Sequence, residues 1–345
     1  MKKKNSKSSL MASLAIVLAI LACNVPLPSF TSGRQETTPT MTSPAPSATA
    51  TNTPLATAGA ANPLPTFVVD TPTPILTHGL IPTTGDVKTY KHILDTVSKD
   101  TASEKRAPTG DSYKLNRFER PFLQDMTYVS DLDIASYSFG ADDNFFFISI
   151  ELVGANPNNP LGINYGVEID LDGDGFGDLI IWAHPPYNVE WTTDNVQIFA
   201  DKNHDTSGLS AEKSDAPVPG DGYETLIFNG GRGEGDDPDL AWARVNAGRL
   251  ATVQFAFKRS VADERFIYGV IADGGLKDIG KMDYIDRFTE FEAGSPERGS
   301  DFYPLKGLYA VDNVCRETYG FVGSGQEPQL CPRPNNCREC QPNKP

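Results

Sequence analysis

The chain has 345 residues and a formal net charge of −15, with 45 acidic residues against 30 lysines and arginines. This length is sufficient for one or two domains with a substantial core. The negative charge argues against a nucleic-acid partner, because a phosphate backbone requires a basic surface. It is compatible with a well-solvated surface and with cation binding.

Residues 1–22 have the pattern of an export signal. Lysines precede an apolar run at residues 10–21, which is too short to cross a membrane and suits the core of a signal peptide. The following residues 20–23 (ILAC) resemble the lipobox of bacterial lipoproteins, although Leu21 replaces the small residue more usual there. The resemblance implies cleavage before Cys23, lipidation of Cys23 and a location on the outer face of a bacterial membrane. An ordinary secretory signal with an incidental cysteine is the alternative.

Residues 23–85 are dominated by Thr, Pro, Ser and Ala. Such a composition predicts a disordered tether, because it cannot bury enough apolar surface to offset the entropy of ordering. The prolines favour an extended chain. At about 3 Å per residue, ~60 residues could hold a folded domain more than ~100 Å from the membrane.

Residues 86–125 are mixed in character, and residues 87–97 are compatible with a short helix or a strand. From residue 126 to about 310, short apolar or alternating runs are separated by turns rich in Gly, Asp, Asn and Pro. Strands are predicted at 132–139, 145–153, 165–170, 179–183, 195–200, 223–228, 241–245, 250–258 and 266–272. This spacing predicts a mainly β fold, an antiparallel β-sandwich of jelly-roll type, with a barrel as the alternative.

Between two predicted strands, residues 170–178 (DLDGDGFGD) have the spacing of a calcium-binding loop. Oxygen ligands are predicted at positions 1, 3, 5, 7 and 9, namely the carboxylates of Asp170, Asp172, Asp174 and Asp178 and the carbonyl of Phe176. Position 12 is apolar and both flanks are strands, so the loop is not an EF-hand. A Gly/Asp hairpin turn without metal is the alternative. Because four adjacent carboxylates repel one another, we favour bound Ca²⁺.

A second acidic loop follows the strand predicted at 195–200. Its candidate metal ligands are Asp201, Asn203, Asp205, Ser207 and Glu212. Thr206 stands where the first loop has a turn glycine, and Lys202 adds an opposing charge. A plain polar turn is therefore as good an interpretation as a weaker calcium site.

The run of strands is similar to bacterial secreted β-sandwiches of the DOMON and family-nine carbohydrate-binding types. The similarity covers residues 126–300 and depends on the strand 165–170 (YGVEID), which leads into an Asp/Gly loop, and on 272–275 (ADGG). The resemblance implies ligand recognition without catalysis.

Three aromatic residues, Trp182, Tyr187 and Trp191, lie within ten residues of one another around a His-Pro-Pro turn. Aromatic rings on loops beside a sandwich can stack on sugars, so all three are candidate ligand-binding residues. Packing in the core is the alternative. It is favoured for Trp182, which continues an apolar strand.

The segment 311–345 is a short Cys-rich tail. It contains Cys315, Cys331, Cys337 and Cys340. Export favours disulfides over a zinc or redox site, and the sequence leaves the pairing open.

The leading hypothesis is a non-catalytic surface lipoprotein. Its calcium-stabilised sandwich would bind an extracellular ligand, with a glycan or cell-envelope polymer as the candidate. The sequence lacks the common hydrolase and nucleotide-binding motifs. A polysaccharide hydrolase or accessory subunit that uses paired carboxylates is the first alternative, and a structural envelope protein is the second.

Overall fold

The computed structural model describes residues 77–85, 87–204, 206, 222–246, 250–262 and 264–332. The expected signal peptide and most of the expected tether lie outside these ranges. So do six residues singled out from the sequence: Cys23, Asp205, Ser207, Glu212, Cys337 and Cys340. No helix in the described ranges is long and apolar enough to span a membrane.

Strands dominate the described chain. In order they are β1 (Thr89–Leu94), β2 (Glu119–Arg120), β3 (Ile134–Ala141), β4 (Phe145–Leu152), β5 (Asn164–Asp170), β6 (Leu179–Ala183), β7 (Val196–Ala200), β8 (Thr225–Asn229), β9 (Ala241–Asn246), β10 (Thr252–Lys258), β11 (Phe266–Asp273), β12 (Val311–Asn313) and β13 (Glu317–Tyr319). Short 3₁₀ turns are at Ala102–Glu104, Tyr113–Leu115, Gly230–Arg232 and Ile279–Lys281, and single-turn α-helices at Tyr284–Arg287 and Glu290–Ala293.

The strands form two antiparallel sheets. One has the order β1-β3-β4-β10-β9, and the other has the order β2-β12-β11-β5-β6-β7-β8, with β13 also paired with β11. The mainly β, antiparallel fold expected from the sequence is therefore confirmed. Each strand predicted between residues 132 and 272 is found within a few residues of its expected position.

The core lies between the two sheets and follows from period-two alternation along the strands. In β4, Phe146, Ile148 and Ile150 point inward and are buried. Across the core, the Phe139 ring of the smaller sheet stacks on Tyr268 of the larger sheet at a centroid distance of 4.6 Å. Burial of each such side chain contributes about 1.5–3 kcal/mol, so this layer is the main source of stability.

The outer face of the larger sheet is also covered. Trp182 and Ile180 of β6 pack in a second apolar cluster with Phe118, Met282 and Tyr284. The Phe118 and Tyr284 rings meet edge to face at 5.4 Å. The central strands of the larger sheet are thus covered on both faces, whereas Leu226 and Ile227 of the edge strand β8 are exposed.

The structure corrects the expected boundaries of the sandwich. β1 pairs with β3, and β2 pairs with β12, so residues 86–125 contribute strands to both sheets rather than a separate segment. The expected tail also begins inside the larger sheet, because β12 and β13 both pair with β11.

The last part of the expected tether is attached to the fold. Asp239, beside β9, accepts hydrogen bonds from the backbone N–H groups of Gly79 at 2.9 Å and Leu80 at 2.8 Å. Its other carboxylate oxygen lies 2.8 Å from Nδ1 of His78. Leu80 and Val87 then pack on the outer face of the smaller sheet.

Candidate functional site

The two acidic loops leave the same end of the larger sheet. β6 lies between β5 and β7, and its first residue, Leu179, pairs with Ile169 of β5 and with Ala200 of β7. Asp170 ends β5, and Asp201 directly follows β7. The first residues of the two loops are therefore neighbours across one strand.

The first loop is ordered by hydrogen bonds from its own backbone. Asp170 is 1% exposed and accepts from the N–H groups of Gly173 at 2.6 Å and Gly175 at 3.1 Å. Gly175 has φ +104°, a conformation that a residue with a Cβ rarely adopts. Carboxylate oxygens of Asp170, Asp172 and Asp174 come within 4.8 Å of one another.

The remaining predicted ligands of this loop lie at its rim. The side chains of Asp172 and Asp174 are exposed, and those of Phe176 and Asp178 are partly exposed. Asp178 accepts from the backbone N–H of Leu171 at 2.6 Å, which closes the loop. The oxygen-rich donor set fits a hard dication such as Ca²⁺.

The second loop repeats the geometry of the first. Asp201 accepts from the N–H groups of His204 and Thr206, both at 2.9 Å, which are three and five residues ahead, as are the partners of Asp170. Asn203 also donates its N–H to Asp201, at 3.2 Å. Thr206 therefore occupies the place of the glycine without loss of this pattern. From the sequence, a plain turn and a metal site were equally good interpretations of the second loop, because Thr206 stands where the first loop has a glycine.

Backbone hydrogen bonds join the two loops directly. Gly177 N–H donates to the carbonyl of Thr206 at 3.2 Å, and Asp201 N–H donates to the carbonyl of Asp178 at 3.0 Å. The two acidic loops thus form one unit, which we call the paired loops (residues 170–178 and 201–206).

Burial is the main cause of the pKa shifts of the carboxyl groups in the first loop. It raises the pKa of Asp170 to about 7, opposed by the hydrogen bonds from Gly173 and Gly175 and reinforced by the charges of Asp174 and Asp178. Burial likewise raises the pKa of Asp174 and of Asp178. A bound cation would favour the charged carboxylates and reverse these shifts.

Two basic groups border the paired loops. Buried Arg316 donates to the carbonyl of Gly175 at 2.9 Å, pairs with Glu168 and lies 3.9 Å from Asp170. Burial lowers the pKa of Arg316 to about 10, so the guanidinium stays charged at neutral pH. His204 Nδ1 lies 3.8 Å from Asp178. The Arg316 guanidinium therefore balances part of the first loop's negative charge.

Two of the three candidate ligand-binding aromatic residues, Trp182 and Tyr187, are enclosed in the protein, and for Trp182 this is the core packing that the sequence favoured. Trp182 is 2% exposed and belongs to the outer apolar cluster of the larger sheet. Tyr187 is 4% exposed, and its hydroxyl lies 2.9 Å from the carbonyls of Ile163 and Ala183. Rings enclosed in this way have no face for a sugar.

Trp191, in contrast, lines a cleft on the outer face of the smaller sheet. The cleft has a volume of about 300 Å³ and is also lined by Phe147 and by residues 83–85. The guanidinium of Arg244 lies 4.5 Å from the centre of the Trp191 ring, and the indole N–H donates to the carbonyl of Thr83 at 2.9 Å. We call this feature the polar cleft.

A row of polar side chains forms the floor of the polar cleft. Strand register places Ser138, Ser149, Gln254 and Arg244 side by side across β3, β4, β10 and β9. Arg244 Nε donates to Gln254 Oε1 at 2.7 Å, and Gln254 Nε2 donates to Ser149 Oγ at 2.9 Å. Among the described residues that line the cleft, Arg244 is the only charged one.

Sequence reasoning did not identify this row. Alternation along each strand marks these residues as outward-facing, but their proximity depends on register between strands that are distant in sequence. Burial lowers the pKa of Arg244, and neighbouring Glu190 opposes that shift.

Comparison with models of known protein families, with curated proteins and with solved structures finds no match for this chain.

Proposed function

We propose that this protein is a non-catalytic binding module that takes a glycan in the polar cleft. The observation that carries the proposal is the cross-strand row Ser138–Ser149–Gln254–Arg244 beside the Trp191 ring. Sugars present many hydroxyls together with apolar ring faces. A row of donors and acceptors beside an aromatic ring matches both.

The dimensions of the cleft support a ligand longer than one sugar. Its volume of about 300 Å³ is at the lower end of small-molecule sites. A second cavity of about 370 Å³ shares Thr84, Arg244 and Asn246 with it. The shared residues place the two cavities side by side, which favours a chain of sugars lying across the strands.

The lining of the cleft also supports a binding role over hydrolysis. Glycosidases need two facing carboxyl groups roughly 5–10 Å apart. Of the described residues that line the two cavities, only Glu190 carries a carboxylate.

We further propose that the paired loops hold Ca²⁺ and stiffen the end of the larger sheet. Support comes from the two matching loops, which contribute Asp170 and Asp201 at equivalent positions, and from the grouping of Asp170, Asp172 and Asp174. Ca²⁺ takes six to eight oxygen ligands in flexible geometry, which a loop of this type can supply.

The ILAC sequence supports an exported, lipid-anchored location through Cys23. We expect Cys23→Ser to abolish labelling by a radioactive fatty acid and to release the protein from the membrane fraction. Unchanged labelling and fractionation in this variant would contradict the anchor, and would leave the glycan proposal untouched.

The glycan proposal is tested with the full chain and a panel of neutral and uronate-containing polysaccharides in calorimetric titrations. Arg244→Ala and Gln254→Ala should each lower affinity at least about tenfold, since each removes hydrogen bonds to charged or buried polar groups. Arg232→Ala is the matched control, because Arg232 is exposed in a turn outside the cleft. Melting temperatures should be similar in all variants.

Two results would overturn the proposal. One is the absence of binding to every polysaccharide in the panel. The other is equal binding by the wild type, Arg244→Ala and Gln254→Ala. Selective binding of uronate-containing polymers would identify Arg244 as the group that recognises a carboxylate.

A further inference from the structure

A separate group of carboxylates lies away from both features described above. Asp95 follows β1, Glu119 lies in β2, Asp133 precedes β3, and Asp312 lies in β12. Carboxylate oxygens of Asp95, Glu119 and Asp312 come within 4.8 Å of one another. We call these four residues the buried carboxylate cluster.

Three of the four carboxylates are enclosed by protein, and Asp95 is partly exposed. Asp133 and Asp312 are 0% exposed and Glu119 is 2% exposed. One oxygen of each is engaged: Asp312 Oδ2 accepts from Ile134 N–H at 2.7 Å, and Glu119 Oε1 accepts from Ser98 Oγ at 2.5 Å. Asp133 Oδ2 accepts from Ser98 N–H at 3.1 Å and from the Tyr128 hydroxyl. These bonds fix the orientation of the carboxyl groups.

Three other oxygens have no hydrogen-bond partner in the described chain. They are Asp95 Oδ2, Asp133 Oδ1 and Asp312 Oδ1. Unpaired buried carboxylate oxygens are costly, and native proteins almost always satisfy them with a proton donor, water or a metal ion. Two of these atoms belong to Asp95 and Asp312, whose carboxylates are grouped with that of Glu119, so they point to a ligand with a positive charge.

The protein supplies little positive charge at this place. The charge of Arg117 has the weakest of the effects on the pKa of Asp95. The Nε atom of Arg117 has no hydrogen-bond partner among the described residues. Lys99 acts weakly on Asp133.

We propose that Asp95, Glu119 and Asp312 bind one Ca²⁺ ion, with Asp133 as the adjoining carboxylate. All candidate ligands are carboxylate oxygens, which are the donors that hard dications prefer. A single ion can contact the unpaired oxygens of Asp95 and Asp312 together with Glu119, whereas one shared proton joins only two oxygens. Sulfur and imidazole donors, which would indicate zinc or copper, are not part of this cluster in the described chain.

An ion has a path to this site. A cleft of about 380 Å³ is lined by Asp95, Glu119, Arg117 and Asn313. Asp133 and Asp312 lie behind this opening and are inaccessible to a polymer. The cluster therefore suits a small cation and does not suit the cleavage of a polysaccharide.

Metal content of the full chain tests the proposal. The starting protein is Asp172→Asn/Asp174→Asn/Asp205→Asn, in which the paired loops have lost carboxylates. After loading with Ca²⁺ and removal of unbound ion, we expect about one equivalent to remain by mass-spectrometric metal analysis. Adding Asp312→Asn should remove that equivalent, and Asp143→Asn, at an exposed turn position, should not.

The melting temperature provides a second readout, because the difference between Asp312→Asn and its parent should change sign between chelator and Ca²⁺. The side-chain amide introduced by Asp312→Asn can still accept from the Ile134 N–H, and the substitution removes one repelling charge. Asp312→Asn should therefore melt a few degrees higher than its parent in chelator and a few degrees lower in Ca²⁺. If Asp312→Asn does not fold, Glu119→Gln is measured in its place.

Three results would overturn the proposal: a parent protein that retains no Ca²⁺, an Asp312→Asn variant that retains the equivalent, or melting that is independent of chelator in both. Retention of Mg²⁺ or Zn²⁺ in preference to Ca²⁺ would overturn the assignment of the ion. Failure here leaves the glycan and paired-loop proposals intact, because none of their residues is shared.

Discussion

The paired loops and the buried carboxylate cluster both concentrate negative charge, but they do so in different ways. The loop carboxylates are close in sequence, and Asp170 and Asp201 are satisfied by backbone N–H groups of the same turns. The cluster draws its carboxylates from four separate segments and leaves three oxygens unpaired within the described chain. A loop can therefore keep its shape without an ion, whereas the cluster depends on one. Removal of Ca²⁺ should cost more stability at the cluster.

The largest expected loss of stability comes from removing the buried cation beside the first loop, which leaves its carboxylates uncompensated, as they are in the cluster. Arg316→Met removes the buried cation that Glu168 and Asp170 face. We expect a loss of about 3–5 kcal/mol, because an uncompensated buried charge remains. Urea denaturation measures the loss, and 10 mM Ca²⁺ should restore more stability in this variant than in the wild type. Arg232→Met is the exposed control, and equal stability of both variants would contradict this prediction.

The disulfide between Cys315 and Cys331 affects both regions. Cys315 lines the cleft beside Asp95, and the next residue, Arg316, reaches the paired loops. The bridge joins residues 16 apart, so Cys315→Ser/Cys331→Ser should cost up to ~3 kcal/mol in the chain-entropy model. The urea midpoint should fall and the Ca²⁺ response of the loops should weaken. An unchanged midpoint would show that the bridge is a peripheral feature.

Calcium binding by the loops should have a smaller effect. With a dissociation constant of 10⁻⁴–10⁻³ M, 10 mM Ca²⁺ adds about 1.4–2.7 kcal/mol. The protein should melt ~3–10 °C higher than in chelator, and Mg²⁺ should help less. Asp172→Asn/Asp174→Asn should remove the rise in melting temperature that requires millimolar Ca²⁺. Any rise that occurs at lower Ca²⁺ concentration belongs to the cluster and should remain. A response that survives intact in this variant would contradict a loop site.

A pH-dependent effect of a size similar to the loop response separates burial from cation binding. Burial raises the pKa of Asp273 to about 7, although the hydrogen bond from Lys277 N–H opposes the rise. Because the folded protein holds this proton more tightly than the unfolded chain, stability due to Asp273 is present below about pH 4 and is lost as the pH rises towards 7.

Asp273→Asn should remove this loss, which amounts to at most ~1.4 kcal/mol per pH unit. Urea denaturation at pH 5 and pH 7.5 measures it, with chelator in all samples. The Ca²⁺ response should be the same in both proteins. An altered Ca²⁺ response would mean that the burial of Asp273 and cation binding are not separable.

The contrast between the two regions explains what the sequence could predict. The loop at 170–178 is contiguous, so spacing alone located its carboxylates. Most strands could be located because alternation and turn residues are local signals. The buried carboxylate cluster depends on the pairing of β2 with β12, which brings Glu119 opposite Asp312. No local pattern contains that pairing.

The alternatives that the sequence left open for the aromatic residues have a related cause. Trp182 alternates with Ile181 along β6, so the sequence correctly places the two side chains on opposite faces. Whether the face of Trp182 is exposed depends on Tyr284 and Met282, which cover it from about 100 positions further along the chain. Trp191 packs beside Phe147 on the outer face of the smaller sheet, where it lines the cleft.

The attachment of residues 78–80 to Asp239 has a mechanical consequence. A pulling force applied to the chain ahead of residue 77 acts first on these hydrogen bonds and only later on β1. Once they break, residues 81–88 provide at most about 25–30 Å of slack before the sheet bears the load. Residues 83–85 line the polar cleft, so the same movement strips away part of its wall. Tension on the chain and occupancy of the cleft are thereby coupled.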